Sequence, residues 1–324
     1  MGENMKYYVG IDLGGMSAKC ALLKEGVLVG TSRCETDKTD PAEKTAARLA
    51  SIAEEAIAKS GVSREEVAGV GIGSPGIIDS KCGVVVSWTN FSWTNVPLAR
   101  LVGEKLGLPV YVLNDANAAA LGEYAYGAGK EYDSAVMITI GTGIGSGIVF
   151  DGKIFEGNGG AGGELGHEVI RMGGEKCSCG RRGCFEAYAS ASALIRQTKK
   201  AMIAHPESLL WNLCEGNADN ANGIVPFQAM RAGDKTAKGV VARYLKYLGE
   251  GVVNAANIFR PQAVILGGGI CAEGETLTRP LQRKADKEKV GGTSSVAVKI
   301  VTASLGNAAG IYGAAEFAAK GGNV

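Results

Sequence analysis

The sequence predicts an α/β protein of two domains, and three observations carry that expectation. The chain has 324 residues, about twice the usual domain size. Strand-like apolar runs alternate with helix-like stripes, as in α/β layers. The opening pattern, VGIDLGGMSAKCALLKEGVLVG, also returns near residue 135 as VMITIGTGIGSGIVFDGKIFEG. Its turn glycines, Gly26 and Gly152, lie 126 residues apart. A solenoid repeats every 20 to 50 residues or so, so this spacing means a duplicated half. Two such halves are expected to face each other across a cleft, with the domain break near Ala116.

Taken in order, Tyr7 to Ile11 reads as a strand, Gly14-Gly15 as a turn, Ala21 to Leu23 as the returning strand, and Gly26 as the next turn. Asp40-Pro41 with Glu43 opens a helix whose Leu49, Ile52, Ala53, Ala56 and Ile57 recur at helical spacing. Gly61 ends it. Strands follow at Val67 to Ile72 and Val110 to Leu113, then an alanine-rich helix after Asn114-Asp115. The second half adds a helix over Val240 to Asn257, a strand over Ala263 to Leu266, the turn Gly267-Gly268-Gly269, and a strand over Val296 to Val301. A last helix covers Ala308 to Lys320.

Composition excludes several function classes. With 34 basic and 33 acidic residues the net charge is +1, which leaves no field to grip a nucleic acid or an anionic membrane. The two longest uncharged stretches, 82–99 and 134–150, are broken by Asn and Pro or by four glycines, so neither reads as a membrane span. No apolar leader is visible near the start, and the expected location is cytoplasmic. The 49 glycines are about twice the average share. Their clustering points to close approach of backbone to ligands.

No G-x-x-x-x-G-K-[ST] occurs, so a P-loop is excluded. The GTGIGSG run at 141–147 leads into a strand-like Ile-Val-Phe, where a dinucleotide fingerprint requires a helix. A glycine turn between strands can instead aim backbone N–H groups at phosphate oxygens, or it is an ordinary hairpin. Two at matching positions favour phosphate. Asp12, at the end of the first strand, reads as a partner for hydrated Mg2+ or as a solvated turn residue. Asp115, at a strand-to-helix junction, reads either as a carboxylate kept ionised by the helix dipole or as a plain N-cap.

The strongest constellation is GHEVIRMGGEKCSCGRRGCFE, residues 166–186. His167, Cys177, Cys179 and Cys184 provide one nitrogen and three sulfurs, a closed tetrahedral set for structural Zn2+ with no position for catalytic water. Glu164 and Glu186 flank that loop, so the metal would fix both carboxylates at one pocket; as surface glutamates they would need no metal. Cysteines 20, 34, 82, 214 and 271 stand singly and are given no role.

Together these residues resemble the bacterial sugar kinases of the ROK family, its glucokinase branch above all, and the resemblance runs nearly end to end. It rests on Asp12-Leu13-Gly14-Gly15, Ser74-Pro75-Gly76, Asn90 with Trp93, Asn114-Asp115-Ala116-Asn117, the 141–147 turn, GELGHE, CSCGRRGC with Glu186, and Gly267-Gly268-Gly269. It implies an actin-like ATPase fold of ribonuclease H-like α/β domains, 1–116 and 117–304, with the terminal helix within 305–324 packing back on the first. It implies ATP and Mg2+ as cofactors and Asp115 as the general base toward a hexose hydroxyl, the 6-hydroxyl of glucose first. Asn90, Asn114, Asp115, Glu164, His167 and Glu186 would bind the sugar. Gly14, Gly15, Thr142 and Gly143 would cradle phosphates, and Gly267, Gly268 and Gly269 would border the adenosine. The family's Thr after the double glycine is Met16 here, so a hydroxyl contact is lost or passes to Ser17. A homodimer is implied as well.

The sugar could instead be N-acetylmannosamine, N-acetylglucosamine, allose or fructose. The family's sugar-responsive repressors are the rival class; they carry a helix-turn-helix, for which six residues before the first strand leave no room in this sequence. A nicotinamide dehydrogenase lacks its fingerprint.

Overall fold

In the computed structural model of the chain, residues 6–323 are described. The first three strands, β1 (Tyr7–Leu13), β2 (Ser17–Lys24) and β3 (Val27–Glu35), form an antiparallel meander. The crossover helix α1 (Ala42–Ser60) buries the five residues of the expected stripe and ends at Gly61, whose φ of 71° only glycine adopts freely. Its start differs from the expectation. Pro41 occupies the cap position and its ring has no acceptor for the first helical N–H groups, while the preceding Asp40 carboxylate is paired with Lys44 at 2.7 Å and Arg48 at 2.8 Å.

β4 (Val67–Ser74) then pairs parallel with β1. A small antiparallel sheet follows, β5 (Ile77–Asp79), β6 (Val84–Trp88) and β7 (Trp93–Val96). Its strands are too short to show a period, and an aromatic cluster beside them supplies apolar burial: Trp88 and Phe91 stack at 3.9 Å, with Trp93 edge-on to both. α2 (Leu98–Leu106) leads to β8 (Val110–Asn114), parallel to β4, and α3 (Asp115–Tyr126) follows without a linker.

β9 (Ser134–Ile140), β10 (Ile144–Phe150) and β11 (Lys153–Ile154) repeat the meander. Short helices α4 (Glu186–Ala189), α5 (Ala191–Ala204), α6 (Leu209–Leu213) and α7 (Val225–Arg231) precede the long α8 (Lys235–Ile258). α8 starts five residues before the expected Val240, because the Asp234 side chain caps it by accepting the Ala237 N–H at 2.6 Å. β12 (Ala263–Gly267), α9 (Glu275–Glu288), β13 (Lys299–Thr302) and α10 (Ala309–Ala319) complete the chain. α9 escapes sequence reading because Pro280 lies inside it and only Leu277, Leu281 and Ala285 are buried.

The two large sheets have the orders β3-β2-β1-β4-β8 and β11-β10-β9-β12-β13. Position by position they are the same topology, and Gly26 and Gly152 turn with φ of 77° and 73°. The duplication read from sequence is therefore structural. By contacts the chain forms two compact units. The first comprises the described residues up to Ala135, Gly147–Gly163 and Ser304 onward; the second is Val136–Ser146 with Glu164–Ala303. The first unit extends beyond Ala116 because α3 packs against α10. That packing is backbone on backbone: a Cβ at Gly313 would lie 1.7 Å from the Ala118 carbonyl oxygen, and one at Gly71 of β4 1.7 Å from that of Ala314. The terminal helix thus seats on β4 and α3 only because those positions carry no side chain.

Candidate functional site

In the first unit the site begins where β8 passes into α3. Asn114 is the cap: its Oδ1 accepts from the N–H groups of Ala116 at 2.9 Å and Asn117 at 3.2 Å. Its Nδ2 donates to the Gly76 carbonyl at 3.1 Å, fastening the junction to the Ser74-Pro75-Gly76 turn. Asp115 is therefore the first helical residue and not the cap. Its Oδ1 also accepts from Ala116 N–H, at 2.9 Å. Capping is already performed, so Asp115 is not explained by it.

The Asp115 carboxyl is held above its ordinary value by burial, against the opposing pull of the Ala116 amide. The helix N-terminus acts in the expected direction, but desolvation outweighs it. Asp12 is raised too, by burial and then by the Asp115 charge, with Lys19 opposing. Strand register explains their proximity. Gly73 of β4 pairs with Asp12 on one side and with Leu113 on the other, so no side chain stands between. On its other flank Asp12 meets the start of α10, where a Cβ on Gly310 would lie 3.2 Å from its Cγ. Asn90 is exposed on the helical turn Thr89–Phe91.

The β1–β2 turn is more occupied than the sequence implies. The Gly14 N–H is bonded to the Ser17 carbonyl at 2.9 Å, and Thr36 donates its hydroxyl to the Gly14 carbonyl at 2.9 Å. The Gly14 amide is thus engaged within the turn. Met16 is 85% exposed, and Thr36 N–H holds its carbonyl at 3.1 Å. Gly160 also serves the fold: a Cβ there would lie 1.7 Å from the Ile78 carbonyl oxygen.

In the second unit, the β9–β10 turn is closed by Gly141 N–H to the Gly143 carbonyl at 3.0 Å, and Thr142 at its tip is exposed. Gly268, at φ 104°, presses against the Ile140 carbonyl, and Gly269 opens a short helical turn to Glu273. His167 lies on the turn Leu165–His167, whose entry residue Glu164 accepts the His167 N–H through its carbonyl at 3.0 Å.

The donor atoms of His167, Cys177, Cys179 and Cys184 lie within 4.8 Å of one another. His167 Nδ1 is 3.5 Å from Cys177 Sγ, and the sulfurs of Cys179 and Cys184 are 3.7 Å apart. A tetrahedral zinc with bonds of about 2.3 Å to sulfur and 2.0–2.1 Å to nitrogen sets donors roughly 3.6 Å (S to N) and 3.8 Å (S to S) apart. The spacing fits. Burial, with the other two sulfurs adding, pushes the Cys184 thiol up to about 12, whereas the Arg181 backbone amide lowers that of Cys179; a bound cation would favour the thiolate form of all three. With Nδ1 turned to the sulfurs, His167 keeps Nε2 for another partner.

Glu186, first residue of α4, accepts Ile144 N–H at 3.0 Å and the Ser178 hydroxyl at 2.9 Å. Ser178 and Glu168 were not read from the sequence. Burial raises the Glu168 carboxyl to about 7; its place directly after His167 was the only available signal.

Comparison with known proteins follows the same line. The profile of the ROK family matches residues 8–320. The chain is similar to the glucokinase of Streptomyces coelicolor, 36% identical over 313 residues and 96% of each chain. It is also similar to the xylose repressor of Caldicellulosiruptor bescii, 35% identical over 74% of this chain and 60% of the repressor. Among solved structures, a ROK family glucokinase from Streptomyces griseus in complex with glucose and AMPPNP aligns with a TM-score of 0.81 at 35% identity, covering 97% of this chain and 99% of that one.

Proposed function

The chain belongs to the ROK family, with the actin-like ATPase fold of its kinases, and from that premise we propose that it is an ATP-dependent hexose kinase phosphorylating glucose at the 6-hydroxyl. The observation that carries the reading is Asp115: a raised carboxyl at a helix start whose cap is another residue. Phosphoryl transfer asks mainly for positioning and charge neutralisation, which leaves removal of the hydroxyl proton to a side chain. Asp115 takes that proton. A raised pKa makes it the stronger proton acceptor once it is ionised.

In this reading Asn90, Asn114, Glu164, His167 and Glu186 hydrogen-bond the sugar. The Asn114 amide donates to Gly76 and faces Asp115, and the Glu186 carboxylate, engaged by Ile144, Ser178 and Cys177, still has acceptor capacity. Gly15, Thr142 and Gly143, with the turn held by Gly14, receive the phosphates, and Gly267 to Gly269 border the adenosine. Mg2+, carried by ATP and faced by Asp12, would neutralise phosphate charge. Zn2+ at His167, Cys177, Cys179 and Cys184 would be structural, fixing the loop that holds Glu186.

No helix among the described residues is long and apolar enough to cross a membrane. A cytoplasmic homodimer without nucleic-acid partners is part of the proposal. The similarity to a xylose repressor favours a second reading, a sugar sensor without catalysis. A coupled ADP-release assay over glucose, N-acetylmannosamine, N-acetylglucosamine, allose and fructose separates them. Glucose is expected to give the highest kcat/KM; faster turnover of another hexose reassigns the substrate, and sugar binding without ADP release establishes the sensor.

A further inference from the structure

We propose that the second unit carries a separate binding site for a small phosphate-bearing molecule, in the cavity between the metal loop, α5 and the first half of α8. The cavity holds about 660 Å3, within the usual range of small-molecule sites. None of its residues belongs to the sugar, nucleotide or metal sets above.

Its charge is one-sided. Arg171, Arg196, Lys200, Lys235 and Arg243 line it, against the carboxylates of Glu175 and Glu207. Five positive charges less two negative leave a surplus of three, in a chain whose net charge is +1. Both carboxylates are already answered. Lys200 lies 3.2 Å from Glu175, and with Arg196 and Arg171 it holds that carboxyl below its usual range. Glu207 faces His205 Nδ1 at 3.2 Å. Arg171 is steadied by donating to the Tyr247 hydroxyl at 3.3 Å, and Arg196 by donating to the Ala187 carbonyl. Lys235 and Arg243 make no side-chain hydrogen bond or ion pair among the described residues. These two cations are available to an anion.

A second observation points the same way. Gly239 lines the cavity from the interior of α8, where glycine costs helix stability relative to alanine. A Cβ built there meets nothing within 4 Å, so the chain's own packing does not require the glycine. Its lack of a side chain leaves that part of the cavity lining bare. The rings of Tyr188 and Tyr247, which also line the cavity, lie 4.6 Å apart and give it an aromatic wall. Guanidinium forks and ammonium groups around a concave space match clustered phosphate oxygens. An extended nucleic-acid backbone would need a continuous basic track, which the two carboxylates interrupt.

The test uses the full chain, saturated with glucose and Mg2+–AMPPNP so that the sugar and nucleotide residues are occupied. Glucose 6-phosphate, an ester, and inorganic phosphate, the free anion, are titrated calorimetrically in about 0.15 M salt. We expect saturable binding that weakens at least tenfold in the double variant Lys235→Ala/Arg243→Ala. Glucose phosphorylation by that variant, without either probe, should stay within twofold of the parent. Binding of the ester alone assigns a phosphorylated metabolite; binding of both, or of the anion alone, assigns free phosphate as sufficient. Gly239→Leu places a bulky side chain in the cavity with all cations kept and should weaken binding at least tenfold. Failure of both probes to bind saturably, or binding that either variant leaves unchanged, overturns the site.

Discussion

Ile144 and Glu186 are joined by a hydrogen bond of 3.0 Å from the Ile144 backbone N–H to Glu186 Oε2, while Ser178 donates to the other oxygen at 2.9 Å. One carboxylate thereby ties the glycine turn after β9 to the metal loop. The turn leaves it no slack, since a Cβ on Gly143 would lie 2.2 Å from that same Oε2. Whatever orders the metal loop therefore also orders the turn assigned to phosphate.

The first prediction follows from that tie. Protein prepared without chelator should hold about one zinc per chain by elemental analysis. Cys179→Ser should lower zinc content and raise KM for both glucose and ATP roughly tenfold or more, through Glu186. Metal-free wild type with full activity, or a variant that keeps both KM values, would remove the metal from the account.

Asp115→Asn separates base from scaffold. Asn114 remains as cap, and the new amide oxygen can still accept the Ala116 N–H, so the helix start is preserved. Only the proton acceptor is lost. Turnover should fall by about 10²- to 10⁴-fold with little change in sugar affinity. Near-normal kcat in the folded variant would falsify the assignment.

The same variant has a signature in stability. Asp12 and Asp115 are both raised above the 3.8 of a free carboxyl, so the native state keeps protons that the unfolded chain has already released. Their contribution to stability is present at low pH and is lost as pH rises through the native values. Asp115→Asn removes part of that loss. Its Tm should match the wild type near pH 4 and exceed it at pH 7, by differential scanning calorimetry. A Tm difference independent of pH would show that Asp115 is not raised.

Glu123 provides a test remote from the chemistry. It is fully buried, and its carboxylate accepts from Ala128 N–H at 2.9 Å, Ser304 N–H at 3.0 Å, Leu305 N–H at 2.7 Å and the Ser304 hydroxyl at 3.3 Å. It thus anchors the segment entering α10 to the end of α3. Glu123→Gln replaces one acceptor with an N–H donor facing other donors, and should destabilise by about 2–4 kcal/mol. Urea unfolding measures it. A loss below about 0.5 kcal/mol would mean that the segment is held by packing alone.

By itself the sequence determined what local pattern can encode. Alternation, turn glycines and the stripe of α1 are short-range, so the meander and its duplicate were legible, as was the cluster of His167 with three cysteines inside one loop. Tertiary structure alone decided what depends on distant neighbours or on a one-residue shift. Asn114 and Asp115 are both competent caps, and the backbone path out of β8 chose the former. Asp12 and Asp115 stand 103 positions apart in the chain, yet parallel pairing across Gly73 makes one raise the other. The Gly14 amide reads as free until the hairpin closes on Ser17. Glu123 accepts from Ala128, five residues further along the chain, and also from Ser304 and Leu305, which only folding brings to it; a buried carboxylate is tolerated where such donors replace water.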